Sequence, residues 1–200
     1  MHSELNTKKR FIAIPALIGL LTTGGAALGL EIIAYSQFSF LYGYVLKYLG
    51  LFISVFMAGT AAGAFLSDFR KFKTGLFPVY SAEFGFIALS ILVWFAPKIF
   101  MSGPNATLPA IYLGINLVLG LFTGFEFVLL CHVHRFFKGP GSKPGFLYSI
   151  DNLGAVIIAL LFIYTVPVLG LKKSTLIILF SKLISCFILL ISYRSQRISD

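Results

Sequence analysis

Apolar residues in this chain fall into long, nearly unbroken runs and lack the short alternating or amphipathic patterns of a soluble fold. Six runs, at about 11–34, 44–67, 74–96, 110–131, 146–170 and 174–192, are long enough for membrane-spanning helices, because crossing the hydrocarbon core takes roughly 20 mostly apolar residues. The pattern therefore predicts an all-α membrane protein of six transmembrane helices. Residues 1–200 form a single transmembrane domain in this reading. The connections are short, and the longest, Lys98–Pro109 and His132–Gly145, are rich in Gly and Pro. None approaches the ~50 residues that a folded extramembrane domain usually needs.

Composition agrees. Hydrophobic residues make up 58% of the chain and charged residues 12%, against about 25% charged in soluble domains. Mean hydropathy is +0.93. The net charge of +9 does not point to nucleic acid, because the basic residues sit in short clusters between apolar runs. Cys131 and Cys186 lie in or near apolar runs without metal-ligand spacing and read as free thiols. His132 and His134, two residues apart, would not share a helical face, so no metal, haem or other cofactor is expected. Lys8-Lys9-Arg10 followed by apolar residues could pass for a signal peptide, but the run is longer than an h-region and reads as an uncleaved helix. Asn105-Ala106-Thr107 matches a glycosylation acceptor, meaningful only in a secretory-pathway host.

The charge clusters set an orientation. Lys8, Lys9, Arg10, Arg70, Lys71, Lys73, Arg135, Lys138, Lys143, Arg194 and Arg197 would lie on one side, and Lys47, Lys98, Lys172 and Lys173 on the other. The positive-inside rule then places both termini in the cytoplasm, with the chain in the cytoplasmic (inner) membrane. An even number of crossings requires the same.

A short internal repeat is visible. Gly25-Ala-Ala-Leu-Gly29-Leu-Glu31 and Gly120-Leu-Phe-Thr-Gly124-Phe-Glu126 both read GxxxGxE, and the same offset carries Gly59 onto Gly154. With three helices per unit, the halves would be inverted relative to each other. Gly25, Gly29, Gly59, Gly63, Gly120, Gly124 and Gly154 are read as close helix-packing positions.

Ionisable residues inside the runs are the candidate site. Glu31, Glu83, Glu126, Asp151 and Lys182 all fall within predicted spans. Each costs about 2.5–3.5 kcal/mol at the bilayer centre, so such groups face the bundle interior and find partners. Sequence depth pairs Glu31 with Lys47 and Glu83 with Lys182. It places Glu126, Asp151, Arg135 and Tyr148 near the cytoplasmic end of the fourth and fifth helices. Either these groups fix helix packing, or they form a cation path or polar ligand site.

Several segments resemble the membrane domain of spermidine-synthase-like proteins. They are Ala27-Leu-Gly-Leu-Glu31, Phe56-Met-Ala-Gly-Thr-Ala-Ala-Gly63 leading to Ser67-Asp68, Ala82-Glu83-Phe-Gly85, Gly145-Phe-Leu-Tyr148-Ser-Ile-Asp151-Asn152-Leu-Gly154-Ala155, and Val166-Pro167-Val-Leu-Gly170-Leu171. Gly63, Asp68, Arg70 and Lys71 also look like a loosened major facilitator loop signature. The resemblance implies half of such a transporter. In this family it also implies a soluble aminopropyltransferase-like domain, but no strand–glycine loop–helix unit is present here. Catalysis is therefore not expected. The leading expectation is a non-catalytic membrane subunit that anchors or organises a partner polypeptide, or a homodimer. The alternatives are a transporter-like protein for a small cation or polyamine, and a membrane subunit of an electron-transfer assembly with a quinone or lipid site.

Overall fold

The computed structural model describes residues 2–43, 46–69, 77–100, 108–138 and 143–197. All of the secondary structure among them is helical: α1 (His2–Tyr42), α2 (Leu46–Phe69), α3 (Phe77–Phe100), α4 (Leu108–Lys138) and α5 (Pro144–Arg197). Each of the five is long and apolar enough to cross a membrane. Most helix ends run past the boundaries set by hydropathy, above all in α1, which starts at His2 where the apolar run begins near Phe11; the described starts of α2 and α3, Leu46 and Phe77, fall inside theirs. Apolar content marks the lipid-buried stretch of a helix, whereas its ends depend on backbone hydrogen bonds.

The last two predicted spans fall in α5, whose helical path breaks at Gly170 (φ 78°, ψ 164°). Only glycine adopts such a conformation without strain. The break reverses the chain. Ile158 and Ile178, about 30 Å apart in a straight helix, both stand against Gly29 of α1, where a Cβ would lie 3.4 Å from Ile158 Cγ1 and 2.7 Å from Ile178 Cδ1. α5 is thus two arms, 144–169 and 171–197, folded beside each other.

Contacts along the helices give their directions. On α1, the contact partners in the first arm rise from Asp151 at Gly24 to Gly154 at Gly25 and Ile158 at Gly29, so the two run parallel. Partners in the second arm fall from Lys182 at Thr23 to Ile178 at Gly29, so those two run antiparallel. α1 is antiparallel to α4 (Gly19 on Leu130, Thr23 on Glu126), and α2 is parallel to α4 (Gly59 on Leu117, Gly63 on Leu121). α3 is antiparallel to the second arm, through Tyr80 to Leu189 and Glu83 to Ser185. Consecutive segments therefore alternate in direction.

Two glycine seams bring backbones together. In one, a Cβ at Gly154 would collide with the Leu21 carbonyl, and one at Gly25 would stand 3.1 Å from the Gly154 oxygen. In the other, Cβ atoms at Gly59, Gly63, Gly120 and Gly124 would collide with the Leu117, Leu121, Phe56 and Thr60 carbonyls respectively. Gly25 against Gly154 and Gly120 against Gly59 are the same contact under the sequence offset.

The interior is apolar at both ends of the bundle, with Phe38, Phe52 and Tyr112 at one end and Leu20, Leu130 and Leu147 at the other. The outer surface is apolar too: Phe40 is 90% exposed, Val168 81% and Tyr164 74%. Such continuous apolar exposure suits contact with lipid and not with water.

Candidate functional site

Between those apolar layers lies a buried ionic cluster at which four helical segments meet. Glu83 comes from α3, Glu126 from α4, Thr23 from α1, and Lys182 and Ser185 from the second arm of α5. The Glu83, Glu126 and Lys182 side chains are wholly buried. Lys182 Nζ donates to Glu126 Oε1 at 2.7 Å and to Thr23 Oγ1 at 2.9 Å. It also lies 3.2 Å from Glu83 Oε2, an electrostatic contact that lacks hydrogen-bond alignment. The Phe86 ring closes the remaining side, with its centroid 4.4 Å from Nζ, a favourable cation–π position.

Each neighbour is held in turn. Ser185, one turn beyond Lys182, donates to Glu83 Oε1 at 2.8 Å. Thr23 Oγ1 lies 2.8 Å from Glu126 Oε1 and 2.7 Å from the Gly19 carbonyl, so its single proton serves one or the other. Glu126 Oε2 is buried without a hydrogen-bond partner. Two carboxylates thus share one ammonium. If both are ionised, the cluster carries one surplus negative charge in a region from which water is excluded.

The Glu83–Lys182 pair expected from depth is present. Glu126, expected near the cytoplasmic end with Asp151 and Arg135, instead completes the Lys182 cluster. The reason is rotational. Depth along α4 separates Glu126 from Arg135 by nine residues, but only packing decides that the Glu126 face turns inward while Arg135 is exposed. Asp151 is half-buried against α1 beside Gly24, with Oδ1 lacking a hydrogen-bond partner. Glu31 is half-buried and has no ion pair among the described residues; the side chain of Lys47, its expected partner, lies outside them. Tyr148 is 60% exposed, its ring edge-on to Phe127. His132 is exposed and His134 buried, on different faces as their spacing requires.

Sequence reasoning missed Thr23 and Ser185. Ser185 was accessible through its i+3 spacing from Lys182. Thr23 offered no signal beyond being polar within an apolar run. Gln37 and Asn116 were missed as well; they bridge helices by donating to the Val93 and Phe52 carbonyls at 3.1 and 2.7 Å. Among the described residues, no group of three His, Cys, Asp or Glu side chains is placed to hold a metal ion.

The chain matches no protein family, no curated protein and no solved structure.

Proposed function

We propose that this chain is a transporter-like membrane protein of six crossings, arranged as two inverted triplets, each of which contributes two segments to the Lys182 cluster. A proton or small cation neutralises the surplus carboxylate there during its cycle. One observation carries the reading: Glu83 and Glu126, both wholly buried, share the single ammonium of Lys182. Buried ionisable groups in membrane bundles mark ion and proton paths, and such sites lie where inverted repeats meet.

The alternating segment directions and the reversal at Gly170 support six crossings. The two like-built seams and the antiparallel α1 and α4 support the inversion. Under the offset of 95 residues (120 minus 25), Glu31 is the counterpart of Glu126, while the counterpart of Lys182 is Ile87. The acid is therefore repeated and the cation is not. In this reading Glu31 is the acid nearer the outer side, and Glu126 serves the cytoplasmic half. Lys182 stands where a substrate amine would, which with the resemblance to spermidine-synthase-like membrane domains makes a polyamine the organic cation to test.

Reconstituted in vesicles holding a pH-sensitive dye, the wild-type protein should carry protons, sodium or spermidine faster than protein-free vesicles under an imposed potential. Glu126→Gln should reduce that flux by about a hundredfold or more, the scale expected for losing a proton-transfer group. Wild-type flux no greater than the protein-free control for all three would overturn the transport reading.

The second reading, a non-catalytic subunit that anchors a partner polypeptide, is favoured by α2 and the two arms of α5, which leave most of their apolar surface uncovered. Under either reading, both termini lie on the cytoplasmic side. Single cysteines at Ser3 and Ser102, in a background lacking Cys131 and Cys186, should label from opposite sides of intact membranes. Labelling of both from one side would refute this topology. Ser102 lies outside the described residues, as does the side chain of Ser3.

A further inference from the structure

A groove of about 440 Å³ runs between the end of α4 and the start of α5, within the ~300–1,000 Å³ range of ligand sites. Its chemistry is graded. Phe127, Val128 and Leu147 form an apolar wall, with Leu147 fully buried. Arg135 and His132, both exposed, line the other end, and Lys143 stands exposed beside Pro144 at its rim. No acidic residue lines it. The two acids expected on this face from the sequence are directed elsewhere, Glu126 into the ionic cluster and Asp151 against α1.

Height fixes how a ligand would lie. The apolar span of α4 ends at Arg135 and that of α5 opens at Pro144, so the cationic end sits at the membrane boundary. Phe127 lies eight residues deeper, about 12 Å along the helix. Anionic head outward and hydrocarbon inward is the orientation of a bilayer lipid. A neutral quinone would leave the cations unused, and an acidic peptide would leave the apolar wall bare.

We infer that this groove binds an anionic phospholipid, its phosphate held by Arg135 and His132 and its acyl chain laid along Phe127, Val128 and Leu147. The site is independent of the transport reading. Basic pockets between helices on the cytoplasmic side favour anionic head groups, and Arg presents a planar fork that matches phosphate. Gly145 lines the groove in open space, with nothing within 4 Å of a Cβ built there. A large side chain at that position would obstruct the mouth of the groove without removing a charge.

The test is native mass spectrometry of the detergent-purified protein titrated with phosphatidylglycerol or with phosphatidylcholine of the same chains. The wild type should retain phosphatidylglycerol about tenfold better. The double variant R135A/H132A should bind the two lipids equally. Gly145→Phe should lose the bound lipid while eluting from gel filtration as the wild type does. Equal retention of the two lipids by the wild type, an unchanged preference in the double variant, or full lipid retention by Gly145→Phe would each overturn the site. Displacement of the lipid by inorganic phosphate alone would do the same, because it would assign the groove to soluble anions.

Discussion

Lys182→Met should destabilise the bundle by about 3–5 kcal/mol, the cost of leaving buried charge without its partner. The substitution nearly preserves volume but strips Glu83 and Glu126 of the one ammonium they share. It also leaves Thr23 Oγ1 without its Nζ donor. The measurement is the fraction of monodisperse protein surviving a thermal ramp in detergent. The triple variant Glu83→Gln, Glu126→Gln, Lys182→Met should recover much of the loss, since replacing every charged member of a buried network is far less costly than removing one. If the single and triple variants melt alike, the cluster makes no net ionic contribution and the transport proposal loses its premise. Recovery of stability in the triple variant without recovery of flux would separate the structural contribution of the cluster from its functional one.

The second large effect is expected at the glycine seams. Gly124→Leu places side-chain atoms where the Thr60 carbonyl stands, and Gly154→Leu does so at Leu21. Backbone cannot swing aside as a side chain can, so the paired helices must separate. Overpacking usually costs about 1–3 kcal/mol, and these positions should reach the upper end of that range or exceed it. Gly114→Ala is the contrasting change. It lies in the same helix as Gly124 with nothing within 4 Å of a built Cβ, so it should be neutral or should stabilise by up to ~1 kcal/mol through helix propensity. Equal melting temperatures for Gly124→Leu and Gly114→Ala would mean that α2 and α4 do not meet along this seam.

Much of the architecture is written in one dimension. Run length follows from bilayer thickness, so the apolar stretches locate the helices even where the ends extend further. The turn inside α5 is also legible, because Pro167, Gly170, Lys172 and Lys173 interrupt an apolar run too long for one crossing. That the reversal is made at Gly170 depends on a positive φ, which glycine permits but does not announce. The GxxxG spacing identifies surfaces suited to close approach. It does not say that the glycines of α1 meet those of α5, or that the glycines of α2 meet those of α4.

The candidate site divides the same way. Glu31, Glu83, Glu126, Asp151 and Lys182 stand out in the sequence because charge inside an apolar run is costly, and depth along the helices pairs Glu83 with Lys182. Depth alone also assigns Glu126 to the cytoplasmic end. By itself the sequence determined which segments are helical, which charges fall inside apolar runs, and that those charges need partners. Which helix faces which, and therefore that Glu126 turns inward to Lys182 while Arg135 is left exposed on a groove between α4 and α5, was decided only in the tertiary structure. Rotation about a helix axis is set by the side chains packed on every face, and a hydropathy profile records position along the axis without the angle around it.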